Sequence, residues 1–271
     1  MFDESTGGTL VSHRRRLWLY AVGVLALLFL IFPIFIVIPM SFSGSRFLQF
    51  PPETLSLRWY DHFFASDEWM RALRISLTAA VSTMIVATPL GVAAAYALHN
   101  AQVRFLRHLQ VLLIMPLMVP IIIIAIGLFF VFARMQLVGT MFGLVLAHTM
   151  MAMPFVLVVT LAGLHGFDMD QEKVARSLGW NRFQAFVRVT LPQIRPSVIA
   201  GALFAFITSL DEVIIALFIT GGPNSTLTKR MFTTLRDEID PTIAAISSLL
   251  IVTSLAVVLA AALAGAGRWK A

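Results

Sequence analysis

The chain has 271 residues, of which 59% are hydrophobic and 13% charged, with a net charge of +6 and a mean hydropathy of +0.88. A soluble domain carries about 25% charged residues to cover its surface, so most of this surface must face lipid. The lack of cysteine excludes a disulfide framework, thiol catalysis and Cys-based metal sites, and the basic residues gather at the ends of apolar runs, which suits anionic headgroups and topology control rather than nucleic acid.

Residues 1–16 form a tail ending in Arg14-Arg15-Arg16. The apolar run at 17–40 is longer than the roughly 7–15-residue core of a signal peptide, so it is expected to persist as a first transmembrane helix. Residues 41–71 carry Pro51-Pro52, Trp59, Tyr60 and Trp69 and read as an outer, periplasmic loop; Trp18, Trp59 and Trp69 read as interface anchors. The core occupies 72–266, with apolar segments near 72–98, 109–133, 140–164, 196–220 and 242–266, each long enough to span a bilayer. Residues 267–271 form a second tail. Pro33, Pro89, Pro116, Pro120 and Pro154 fall inside spans and are expected to kink them. Twelve of the 20 Lys and Arg residues, the triple Arg among them, fall on the side that holds both termini, which makes that side cytoplasmic.

Between the fourth and fifth apolar segments lies GFDMDQEKVARSLGWNRFQAFVRVTLPQIRPS, residues 166–197. Asp168 with Gln171 fits a capping box opening a short helix, with Val174, Ala175 and Leu178 on one face. Gly179 supplies a left-handed stop. Asn181 with Gln184 fits a second capping box, Phe183, Phe186, Val187 and Val189 give an apolar side, and Leu191-Pro192 ends that second helix. Two amphipathic helices at a glycine turn can dock into a groove on a partner or lie on the membrane surface.

This loop resembles the EAA loop of binding-protein-dependent ABC importer permeases: EAA, three residues, Gly, nine residues, Ile, one residue, Leu-Pro. Lys173-Val174-Ala175 falls on EAA, Gly179 on the Gly, Val189 on the Ile and Leu191-Pro192 on the Leu-Pro, with every spacing kept. Lys173 stands where the motif has an acid, and Glu172 is one residue away, about 100° around the helix. The resemblance implies an all-α fold of type I, a polytopic membrane bundle of six transmembrane helices with a cytoplasmic two-helix coupling loop at 166–197. It implies that Glu172, Lys173, Val174, Ala175, Arg176, Gly179, Val189, Leu191 and Pro192 form an ATPase-coupling element, with Arg176, Arg182 and Arg188 available for acidic groups on the partner. It also implies a bacterial inner-membrane location and a heterodimer with a second homologous permease. Two cytoplasmic ATPases holding ATP and Mg, and a periplasmic substrate-binding protein, complete the implied assembly. No cofactor, metal or covalent chemistry is expected in this chain.

Asp211 and Glu212 lie inside the fifth apolar segment. A charged group at mid-bilayer is costly unless it faces protein or water, so this pair is a candidate for the substrate pathway or a gate, against a structural or proton-relay role. LDEVIIALFITGGP, the following TLTKRMFTTLRDEIDPTIAAISSLLI and the earlier GLVLAHTMMAMPFVLVVTLAGL are similar to the spermidine/putrescine (polyamine) permease subfamily. That likeness implies a small cationic solute; opines, amino-acid derivatives and other small solutes are the alternatives. An ion-coupled secondary transporter using the two acids is the rival class, but no inverted repeat supports it. His148 reads as a buried hydrogen-bonding residue, and Met150, Met151 and Met153 as packing. Lys229, Arg230, Arg236, Asp237 and Glu238 read as an outer surface for the binding protein.

Overall fold

The computed structural model describes residues 17–100, 104–238 and 240–266; Arg14-Arg15-Arg16 and both expected tails lie outside them. The described chain is helical, and its one β-bridge joins Ser43 to Leu55. Two compact units divide it, Met1–His62 with Asp240–Thr253, and Phe63–Ile239 with Ser254–Ala271.

The first unit starts with α1 (Leu17–Ser41), a helix apolar on every side, whose Leu25, Phe29 and Leu30 stand exposed. A helix with no polar face belongs in lipid or against another apolar helix. The Ser41 hydroxyl meets the Tyr60 hydroxyl at 2.7 Å, at the start of α2 (Arg58–Ala65). Trp59 is buried, donates its indole N–H to the Ser45 carbonyl at 3.1 Å and carries the Arg58 guanidinium 4.6 Å above its ring. It therefore packs the loop instead of anchoring at a lipid interface. Asp240 opens the last helix of the chain by accepting from the Thr242 N–H and hydroxyl at 2.8 and 2.6 Å, the side-chain cap that a helix start favours.

The second unit is built on α3 (Asp67–Asn100), α6 (Met141–His165) and α10 (Arg195–Asp211). Ala87 and Val92 of α3, Ala152 and Val156 of α6, and Ala205 of α10 form one buried cluster. Thr140 caps α6, accepting from the Gly143 N–H at 3.0 Å. Both α3 and α6 continue through their prolines, Pro89 and Pro154. Trp69 lies buried on α3 against Phe63 and beneath the Arg230 guanidinium, so the expectation of an interface anchor fails here too.

The third apolar segment is not one straight span. α4 (Arg104–Ile114) runs into a 3-10 turn at Met115–Leu117, and the chain then bends by 100° into α5 (Ile121–Arg134). Pro116 and Pro120 sit at this break, where each removes a backbone donor. By length and composition three helices, Trp18–Ser41, Asp67–Asn100 and Met141–His165, can cross a membrane. Among the described residues the number reaches five if His108–Leu117 with Ile121–Arg134, and Arg182–Gln193 with Arg195–Asp211, each count as one span. The sixth expected segment forms α13 (Thr242–Ala266).

Val156 is sandwiched between two glycines. A Cβ on Gly91 would lie 2.6 Å from the Val156 Cβ and one on Gly201 3.3 Å from its Cα. Small residues let membrane helices approach this closely. Gly91→Ala is expected to cost about 1–3 kcal/mol by overpacking, more than Gly201→Ala. Melting of the detergent-solubilised chain reads this, and equal midpoints for the two variants would contradict it.

Candidate coupling loop and membrane acids

In the 166–197 loop, the first helix is α7 (Asp170–Ser177). The capping box expected from Asp168 and Gln171 does not form. The Asp168 carboxylate instead accepts from the Asp170 N–H at 3.0 Å, and Gln171 accepts from Gln193 Nε2 at 2.6 Å. Gly179 ends α7 at φ +98°, while the Trp180 N–H reaches back to the Ala175 carbonyl at 3.3 Å, the six-to-one bond of a left-handed helix stop. The second box is present: Asn181 Oδ1 accepts from the Gln184 N–H at 2.8 Å, and Gln184 Oε1 from the Asn181 N–H at 3.1 Å.

The second helix comprises α8 (Arg182–Ala185), a π segment at Phe186–Thr190 and α9 (Leu191–Gln193). It ends at Gln193, one residue past Leu191-Pro192, and the chain turns by 82° at Ile194 into α10. The π segment has a local cause. The Pro192 ring would collide with the Arg188 carbonyl four residues earlier, and a widened turn relieves this. The Leu191 N–H accordingly bonds the Phe186 carbonyl.

The apolar residues of the loop separate onto two faces. Glu172 and Ala175 are buried, and Phe186 and Val189 turn partly inward. Val174, Leu178 and Phe183 stand 59%, 79% and 75% exposed. The face drawn from sequence through Val174, Ala175 and Leu178 thus splits, because adjacent helical residues differ by about 100°. Lys173 is exposed and pairs with Asp170 at 2.7 Å, which raises its pKa above the ordinary lysine value. Arg176 and Gly179 are exposed, as is Pro192, and Leu191 is half-buried. Arg182 donates to the Tyr96 hydroxyl at 3.3 Å, and Arg188 stacks 5.4 Å over Trp180.

The sequence sets Glu172 about 100° around the helix from the motif's acidic position. The residue is 3% exposed, and its carboxylate accepts from the Tyr96 hydroxyl and the Thr190 hydroxyl, each at 2.5 Å. Nothing in the sequence near Tyr96 or Thr190 signals this meeting, since the partners are 76 and 18 residues away.

The fifth apolar segment breaks at the acids. α10 ends on Asp211, Glu212 is extended at ψ 118°, and α11 (Ile214–Ile219) follows. Glu212 Oε1 accepts from the Ile215 N–H at 2.8 Å and its carbonyl accepts from the Thr228 hydroxyl at 3.0 Å. Asp211 is exposed and has no hydrogen-bond or ion-pair partner among the described residues. α11 packs Ile215 and Ile219 on Ala125 and Phe132 of α5 and Ala147 and Met151 of α6.

The other end of α11 is closed from α12 (Leu227–Asp237). Lys229 Nζ donates to the Thr220 carbonyl at 2.5 Å and the Leu217 carbonyl at 3.3 Å, and burial lowers its pKa. A cation at a helix C-terminus satisfies carbonyls that lack helical partners. Lys229 is therefore not part of an open outer surface. Arg230 is likewise engaged, with Glu68 and Trp69, beside a 340 Å3 cavity lined by Glu68, Arg71, Ala72, Gly222, Ser225 and Arg230. Arg236, Asp237 and Glu238 are exposed.

His148 is buried and bonds Ser209 through Nδ1 at 2.7 Å; Ser209 in turn reaches Thr83 at 3.3 Å. This bond ties α6, α10 and α3 together two residues before Asp211. Met151 is buried in the core, and Met153 packs on the α3–α6–α10 cluster.

Comparison with known proteins places this geometry. Residues 87–267 match the family described as binding-protein-dependent transport system inner membrane component. The spermidine/putrescine transport system permease protein PotC of Escherichia coli (strain K12) is 30% identical over 242 residues, 89% of this chain and 91% of that protein. The putrescine transport system permease protein PotI of the same strain is 31% identical over 248 residues, 88% of this chain and 86% of that protein. Among solved structures, a bacterial ABC transporter involved in the import of the acidic polysaccharide alginate superposes with a TM-score of 0.74 at 16% identity, covering 92% of this chain and 96% of that one. The match spans α6, the glycine-turn loop, the acid break and α12, and the chain belongs to the binding-protein-dependent transport system inner membrane component family, as the permease component of an ABC importer.

Proposed function

We propose that the chain is one half of a translocation pathway for a small cationic, polyamine-like solute, completed by a second homologous permease in a bacterial inner membrane. On this reading the chain crosses the membrane six times with both termini and the 166–197 loop in the cytoplasm, α4–α5 being a bent span and α10–α11 a span interrupted at Glu212. Two cytoplasmic ATPases, which hold ATP and Mg, seat on the loop, and a periplasmic binding protein delivers the solute from the opposite side. The observation that carries this reading is the exposure of Val174, Leu178 and Phe183 on the two sides of the Gly179 turn. Three such side chains exposed together on a short polar loop favour a protein groove as their destination.

The solute class rests on two supports. The relatives named above carry spermidine or putrescine in their names, and Asp211 presents at a helix break a carboxylate without a partner among the described residues. Irregular backbone at membrane depth is tolerated where it lines a cavity. In the alginate transporter, a solved complex contains a ligand-bound periplasmic protein, which supports an external delivery partner here.

The test is reconstitution of this chain with its second permease, ATPase and binding protein in proteoliposomes. ATP-dependent uptake of spermidine or putrescine is expected, with opines and anionic solutes not taken up. Uptake by the chain alone, with no ATPase bound, would sink the importer reading; uptake of an opine in place of a polyamine would sink only the solute class.

A further inference from the structure

We propose that Glu172 is a positioning residue, the knot through which movement of the first coupling helix reaches the membrane helices. The proposal rests on the docking role given above to the 166–197 loop. Its two carboxylate oxygens are divided between two elements. Oε1 holds the Tyr96 hydroxyl on the last turns of α3, and Oε2 holds the Thr190 hydroxyl in the π segment of the second loop helix. One buried side chain on α7 thus joins all three elements.

The knot is braced from outside. Arg182 donates Nε to the same Tyr96 hydroxyl at 3.3 Å and lies 5.4 Å over its ring, while the Phe186 ring packs directly on the Tyr96 ring with their centroids 4.6 Å apart. Each of these residues comes from the second loop helix, so α3 is gripped by both loop helices at one tyrosine. The segment leaving the knot is also fixed. Ile194, where the chain turns into α10, is buried with Ala95 of α3 and Leu164 of α6. From there α10 runs 17 residues to Asp211, about 25 Å at 1.5 Å per residue.

Val174 on α7 and Leu178 just past its end are exposed on the side away from Glu172, so a partner can seat on them without disturbing it. This arrangement separates holding from transmitting. A buried carboxylate whose two oxygens each accept a hydrogen bond resists local shear, because any displacement leaves polar atoms unpaired. Movement of α7 therefore carries α3 and the head of α10 with it. Lys173, at the motif's acidic position, points to solvent and takes no part.

The test uses the assembled transporter in proteoliposomes. Tyr96→Phe keeps the ring on Phe186 and removes only the hydroxyl, and Thr190→Val does the same for the second link. Both are expected to retain the ATPase at wild-type stoichiometry and to hydrolyse ATP at the basal rate. The rise in hydrolysis on adding liganded binding protein is expected to fall by roughly fivefold or more, the range of a coupling free energy, with uptake falling in step. Glu172→Leu should reproduce the loss, and Glu172→Gln should restore most of it, since its amide can accept from Tyr96 and donate to Thr190. Normal stimulation in Tyr96→Phe and Glu172→Leu overturns the proposal. Loss of ATPase retention in parallel with activity also overturns it, because the knot would then only shape the docking surface. A wild-type chain that retains no ATPase overturns the docking reading and this proposal together.

Discussion

Leu178→Asp combined with Phe183→Asp is expected to abolish retention of the ATPase while leaving membrane insertion and folded yield unchanged. The two side chains are 79% and 75% exposed in the chain, so their replacement removes almost no internal packing; surface changes of this kind stay within about 0.5 kcal/mol of stability. At an interface they count far more. Burying a large apolar side chain is worth about 1.5–3 kcal/mol, so two of them lost together weaken association by roughly a thousandfold. The aspartates add unpaired charges to a desolvated surface, which costs more still. Gly179→Val should act by a different route. At φ +98° a β-branched residue is strained, although no atom lies within 4 Å of the position its Cβ would take. The strain, about 1–3 kcal/mol, is relieved by shifting the turn and with it Leu178. Pull-down of the ATPase through a tagged chain, with solubilised yield as the control, reads both variants. Full retention of ATPase by the double aspartate variant would remove Val174, Leu178 and Phe183 as a docking face.

Local signals in this chain were legible where the backbone itself obeys them. Thr140 opens α6 within a residue of the boundary drawn from hydropathy, Gly179 adopts the left-handed stop, and Asn181 with Gln184 forms its box. Each depends on residues within a few positions of one another. Asp168 shows the limit of that reasoning, because its carboxylate bonds the Asp170 N–H and Gln171 is drawn away to Gln193. The breaks at Met118–Pro120 and at Glu212–Val213 were hidden for another reason. Hydropathy sums over a window, and an apolar run reads the same whether its helix is straight or bent by 100°. Partners distant in sequence escaped altogether. Trp59 and Trp69 look like interface anchors until Ser45 and Arg230 are seen beside them. Lys229 looks like an outer charge until the carbonyls of α11 surround it.

Asp211→Asn is expected to raise the half-saturating concentration for a cationic solute while leaving assembly intact, whereas Glu212→Ala is expected to reduce folded yield with little change in that concentration. The pair looks symmetrical in sequence, but the backbone break assigns the two carboxylates different work. Glu212 bonds the Ile215 N–H at the start of α11, and its own carbonyl is held by Thr228. Removing such a cap costs about 0.5–2 kcal/mol, and α11 is packed on α5 and α6 through Ile215 and Ile219, so the loss should appear as reduced folded yield. Glu212→Gln keeps an acceptor for the Ile215 N–H and should be mild. Asp211 has no such duty; it is exposed at the end of α10 with no partner among the described residues. A hydrogen bond between this carboxylate and a solute ammonium is worth about 1.5–3 kcal/mol, so its loss should weaken apparent affinity by roughly 10- to 100-fold. Asp211→Asn preserves the shape and still offers an amide oxygen, which isolates the charge as the variable. The concentration dependence of polyamine uptake, measured beside ATPase retention for each variant, separates the two roles. Wild-type uptake by Asp211→Asn would take that carboxylate out of the pathway, and loss of ATPase retention in the same variant would make it a structural group like its neighbour.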